Sequence, residues 1–163
     1  MNIISTTIAC FLFGLFSSVP IEVDKATSQT VIGGVAGSGK TTEYRVEIRI
    51  KKNPEKIRIE GIIIDGHFFD EFKIIPSQNS MNHFSKKEQE SFFKQIEKKT
   101  KFILSFAKRW KSDQAGNLIP PPKKDYDIPD DLKEKNIVIC QWKEKRKFVE
   151  IPQVETKATQ QMP

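Results

Sequence analysis

Glu43-Tyr44-Arg45-Val46-Glu47-Ile48-Arg49-Ile50-Lys51 alternates polar and apolar residues without a fault. A period of two is that of a half-buried strand. Tyr44, Val46, Ile48 and Ile50 share one face, and Glu43, Arg45, Glu47, Arg49 and Lys51 share the other. A helix would scatter both sets around its circumference. This stretch decides the fold because of what stands before it. Gly34-Val35-Ala36-Gly37-Ser38-Gly39-Lys40-Thr41 fits the phosphate-loop pattern G-x-x-x-x-G-K-[ST] at every position. In such a loop the backbone amides cradle phosphates, the lysine reaches their terminal oxygens and the threonine holds Mg²⁺. The helix that follows presents its N-terminus to the phosphates. On that alternative Gly34, Gly39, Lys40 and Thr41 bind a nucleotide. Asp65, closing the apolar run Ile62-Ile63-Ile64, then holds the metal. A strand after Thr41 takes that helix away, and no series of βαβ units follows to supply a parallel sheet. The preferred reading is a glycine-rich strand entry, with no catalytic, cofactor or metal residue assigned.

Working outward, Lys52-Asn53-Pro54-Glu55 reads as a turn, because proline fixes φ and asparagine tolerates left-handed backbone. Lys56-Ile57-Arg58-Ile59-Glu60 alternates again, which predicts a hairpin with 43–51. Gly61 interrupts the pattern, as at a bulge or a close backbone approach. Asp65-Gly66 is a turn, and His67–Ile75 reads as one further strand ended by Pro76. Ser85-Lys86-Lys87-Glu88 has the form of a capping box and starts a short helix, about 85–98. Residues 99–110 fit both periods. The aromatic density of 102–110 favours a strand there. Lys111–Lys135 is polar, holds Pro120-Pro121-Pro122, and reads as a long, incompletely ordered connection. Ile137–Trp142 and Lys147–Ile151 form a second hairpin. The expectation is a mainly β, antiparallel sandwich-like domain over residues 30–152. A linker at 21–29 and a flexible tail at 153–163 flank it.

Residues 1–20 differ from the rest. Ile8-Ala9-Cys10-Phe11-Leu12-Phe13-Gly14-Leu15-Phe16 is uncharged and apolar. It suits the core of an export signal and is too short to span a bilayer. Without this segment Cys140 is the only cysteine, so no internal disulfide forms, and its apolar run makes it a buried thiol. Localisation is therefore expected to be extracytoplasmic, periplasmic or secreted, or membrane-tethered if the leader stays uncleaved. The 163 residues carry 27 Lys and Arg against 21 Asp and Glu, a net charge of +6. The positive charge is spread over short groups with interleaved acids. Specific nucleic-acid binding wants a concentrated patch with stacking aromatics, and none is visible. Weak association with an anionic envelope surface fits the excess. Asp65, His67 and Asp70 lie close in sequence but match no standard zinc spacing, and turn residues are often Asp and His.

Gly33-Gly34 with Gly37-Ser38-Gly39, the strand opened by Tyr44, Ile62–Gly66 and the late Lys145–Pro152 together resemble uncharacterised small secreted β-rich proteins of Gram-negative bacteria. The likeness covers most of residues 30–152. It implies an exported, mostly β domain and brings no activity or catalytic residues. The function expected is an exported, non-enzymatic binding or structural module without a cofactor, its ligand, partner and oligomeric state undefined. The nucleotide-binding reading of Gly34–Thr41 is the alternative.

Overall fold

The computed structural model of the chain describes residues 19–33, 39–77 and 81–161. The apolar run 8–16, Cys10 and the loop residues Gly34, Gly37 and Ser38 lie outside them. Two antiparallel-rich sheets pack face to face, with one short helix. The larger sheet is built on β1 (Ile21–Ile32), β2 (Lys40–Ile50) and β7 (Lys101–Ser112). It continues through β5 (Lys73–Pro76) to β6 (Phe84–Ser85). The smaller runs in the order β10 (Lys145–Glu150), β9 (Ile137–Trp142), β3 (Ile57–Ile64) and β4 (His67–Phe69).

The alternation read at 43–51 is the strand β2, and its apolar face is the core. Val46, Ile48 and Ile50 are fully enclosed. They join Phe102, Leu104 and Ile74 from the same sheet and Ile57, Ile59, Ile62, Val138 and Cys140 from the other. The ambiguous stretch 101–112 is a strand, and Phe102, Leu104 and Phe106 point inward. Ser85 does start the helical segment: its backbone N–H and hydroxyl both donate to the Glu88 carboxylate. A 3-10 turn leads into α1 (Gln89–Gln95), shorter than the 85–98 expected. Phe92 and Phe93 of α1 meet Phe102 edge-on at 5.5 and 5.7 Å.

Several expectations are corrected. The hairpin of 43–51 with 56–60 does not form. β2 already has β1 and β7 on its two edges, so the chain crosses at Pro54 to the other sheet, where β3 pairs β9 and β4. His67–Ile75 is two strands, β4 and β5, one in each sheet. Residues 21–29 are not a linker but most of β1. A bulge between Val23 and Lys25 breaks the alternation there and hides the strand from a periodicity reading. The tail is not free either. β11 (Val154–Thr156) and β12 (Gln160–Gln161) both pair β1 in parallel.

The long connection is packed as well. Ile63, Ile137 and Ile139 form a second apolar patch on the outer face of the small sheet. Tyr126, Ile128 and Leu132 of the connection lie on it. This explains why Ile62-Ile63-Ile64 and Ile137-Val138-Ile139 are continuous rather than alternating: both faces of β3 and β9 are covered. After β8 (Leu118–Ile119), which pairs the end of β7, the three prolines stop the ladder. The same register continued would set Pro120 opposite Trp110, and proline has no N–H to donate.

Candidate functional site

The core face of the large sheet runs past the end of the small one. Register sets Ile32 beside Lys40 and Lys40 beside Trp110; one step inward, Thr30, Thr42 and Lys108 form the next row. Directly paired residues project to one side, so these side chains share the face of Tyr44, Val46 and Ile48. Burial falls along that face from Val46 at 0% and Tyr44 at 7% to half-buried Thr42 and Lys40. Among the described residues the sandwich is thus open at this end, and what lines the opening is polar and basic where the pattern of β7 calls for apolar.

Lys108 is the centre of the site. Its Nζ lies 2.7 Å from His67 Nε2, contributed by β4 of the opposite sheet. An ammonium has only protons to give, so Nε2 accepts and the imidazole is neutral with its proton on Nδ1. Trp110 takes two cations against its ring, Lys108 Nζ at 5.0 Å and Lys40 Nζ at 5.5 Å from the centroid. The Thr30 and Thr42 hydroxyls bond each other at 3.1 Å. Burial pushes the Lys108 ammonium below its ordinary range; the charges of Lys123 and Lys40 push the same way, and Asp65 opposes them. Burial likewise lowers His67, helped by Lys108 and Lys123 and opposed by Asp65. Among the described residues, no carboxylate stands within ion-pair distance of Lys40, Lys108 or Lys123.

The residues of the phosphate-loop pattern fare unevenly. Gly34 lies outside the described residues. Gly39 has φ +75°, and a Cβ there would stand 2.5 Å from the Trp110 carbonyl oxygen, so backbone approach to β7 demands glycine. Lys40 and Thr41 begin β2, an antiparallel partner of β1, and no helix follows them. Thr41 projects to the face opposite Lys40. Asp65 sits in the β3–β4 turn, its amide bonded to Asn136 Oδ1 at 2.9 Å. Lys40, Asp65 and His67 do come to the same end of the molecule, but around Lys108. Asp70, grouped with His67 by sequence, turns away to Lys124 at 2.6 Å. Among the described residues no three His, Cys, Asp or Glu side chains gather as metal ligands. Sequence reading missed Lys108, Trp110 and Lys123. The signal was available for Lys108: it occupies the inward register of Phe102, Leu104 and Phe106, where an apolar residue belongs.

A second concavity, an open cleft of about 410 Å³, lies on the outer face of the small sheet. Its polar groups are turned on one another. Glu60 accepts from Tyr126 Oη at 2.9 Å and from Arg146 Nε at 2.8 Å. Arg146 covers the Tyr126 ring at 5.4 Å, and Phe68 meets that ring at 4.3 Å. Burial and the Glu60 carboxylate push the Tyr126 phenol up to about 12. These contacts fasten the long connection to the sheet. Cys140 is fully buried, and burial raises its thiol to about 12, so it is no thiolate nucleophile at neutral pH.

Comparison with protein-family models, with curated proteins and with solved structures finds no significant match to this chain.

Proposed function

We propose that the chain is an exported binding module that takes an anionic ligand at the Lys40–Lys108 end of its sandwich and performs no chemistry on it. The observation that carries this is the state of Lys108. A half-buried ammonium is hydrogen-bonded to a neutral imidazole, with two further lysines in electrostatic range; Asp65 is in range too and offsets them in part, but among the described residues no acid forms an ion pair with it. Like charges gathered in a partly desolvated place oppose one another's ionisation. An anion entering the opening relieves that opposition for all of them at once. The donors are ammonium points rather than guanidinium forks, so the site favours negative charge over a particular planar shape. The apolar run 8–16 supports export, and the resemblance to small secreted β-rich proteins agrees with it. N-terminal sequencing of the protein recovered outside the cytoplasm is expected to find a new terminus between about Ser18 and Ile21, ahead of β1.

The binding test uses inorganic pyrophosphate as probe and the His67 imidazole as reporter, followed by NMR across pH. A bound anion should favour the imidazolium, so the His67 pKa should climb from its depressed value toward or above the ordinary one. Lys108→Ala should abolish the ligand-dependent shift. An unchanged His67 titration at millimolar pyrophosphate would rule the anion reading out.

A further inference from the structure

We infer that the Lys40–Lys108 end is a docking surface for an anionic lipid bilayer. This rests on the anion reading of that end and names its partner. The lysines are half of the case. The other half is apolar surface left exposed beside them. β8 pairs Leu118 with Ser112 and Ile119 with Lys111. Leu118 therefore projects to the side of Trp110, and Ile119 to the side of Arg109 and Lys111. Both stay open to solvent, at 47% and 51% exposure, and Ile32 on the far side of Lys40 is 38% exposed. Ile32, Trp110, Leu118 and Ile119 thus rim one end of the large sheet, with Lys40, Lys108, Arg109 and Lys111 set among them. The prolines that end β8 keep Leu118 and Ile119 at this rim, where among the described residues no further strand covers them.

The mixture selects the partner. A soluble polyanion rewards the lysines and leaves Leu118 and Ile119 in water. A bilayer rewards both, since anionic headgroups take the ammoniums while Trp and aliphatic side chains enter the interface. The net charge of +6 provides the longer-range attraction.

The experiment is sedimentation of the full-length chain with phosphatidylcholine vesicles, with and without one-third phosphatidylglycerol. Residues 8–16 contribute a background common to all variants, so the increment due to phosphatidylglycerol is the readout. Lys40→Ala/Lys108→Ala should weaken that increment about 25-fold, at about fivefold per lysine near the surface. Leu118→Ser/Ile119→Ser should weaken it about fivefold or more, as apolar area no longer leaves water. Lys52→Ala/Lys56→Ala removes the same charge at the opposite end of β2 and should change it less than about twofold. Melting temperatures at or above that of the unmutated chain confirm that the variants are folded. A parallel arm replaces vesicles with soluble polyphosphate. Polyphosphate binding with no phosphatidylglycerol increment, or with one indifferent to Leu118 and Ile119, overturns the bilayer proposal and leaves the anion site standing. Silence in both arms overturns both. An equal loss in the Lys52/Lys56 variant reduces the effect to unlocalised charge and also overturns the proposal.

Discussion

Gln89 is a polar side chain that the core cannot lose. It is 5% exposed; its Oε1 accepts from the Ile59 amide at 2.7 Å and its Nε2 donates to the Ile59 carbonyl at 3.1 Å. β4 pairs β3 only from Ile62 onward, so Ile59 has no strand on that side and the amide from α1 takes its place. Gln89→Leu should destabilise the protein by about 2–4 kcal/mol in urea, because two buried backbone groups lose their partners. A cost below about 1 kcal/mol would show that water replaces the amide. Gly61, beside the bulge between Ile59 and Gly61, is fixed by space: a Cβ would stand 2.3 Å from the Phe68 ring and 2.8 Å from the Phe69 carbonyl oxygen. Arg49, on the polar face of β2, is tied to Asp24, which also takes Lys101 at 2.8 Å. The Lys101 contact first, and then Arg49, hold Asp24 below its ordinary 3.8. The stability this gives is present above the unfolded-state pKa and is lost as pH falls through the lower folded value. Asp24→Asn should therefore cost about 1 kcal/mol at pH 7 and nothing once both states are protonated. A stability difference that persists unchanged into strong acid would assign the effect to packing. Lys108→Met should act the other way, raising stability at pH 7 by about 0.5–1 kcal/mol while removing the anion response, as expected where a site is maintained against the fold.

At the scale of elements, the sequence reveals strands well and their partners poorly. β2, β7, β9 and β10 each carry their period or their apolar run in the chain itself. The turn of the β9–β10 hairpin was legible as a place but not as a type: Lys143 and Glu144 take φ 51° and 64°, the left-handed pair a two-residue turn needs, without the usual Asn-Gly. The β2–β3 hairpin failed as an expectation because alternation says which face is buried and nothing about which edge is free. The site divides in the same way. Lys40, Asp65 and His67 drew notice for motifs they do not form. Lys108 and Trp110 join them only through register across β2 and β7 and the packing of β4 above, which are tertiary facts. By composition alone the long connection reads as incompletely ordered. It is ordered by three anchors, and Tyr126 has the most contacts to lose. Tyr126→Ala should loosen residues 113–131 by about 1–3 kcal/mol, seen as at least fivefold faster protease cleavage there with little change in the global melting temperature. Cleavage as fast in the unmutated chain would mean the anchors do not hold in solution.

At the scale of the whole molecule, neither sheet encloses its own core. Val46, Ile48 and Leu104 on one side and Ile59, Ile62 and Val138 on the other belong to a single cluster. Each sheet would expose that face to water if the other left. The two should therefore unfold as one unit, as small domains with one core do. The tryptophans allow this to be read separately, since Trp110 stands on β7 of the large sheet and Trp142 on β9 of the small one. Trp110→Phe leaves Trp142 as the only indole reporter, and Trp142→Phe leaves Trp110. In each variant the fluorescence midpoint should coincide with that variant's own far-UV circular dichroism midpoint. Adding Val46→Ala to the Trp110→Phe background cuts the core of the large sheet, where Val46 is fully enclosed. It should nonetheless lower the midpoint reported by Trp142, in the other sheet, by several degrees, in proportion to about 1–3 kcal/mol of lost packing. A Trp142 signal that ignores Val46→Ala would mean that the small sheet, clamped by Tyr126, Ile128 and Leu132 on its outer face, holds together as a unit of its own.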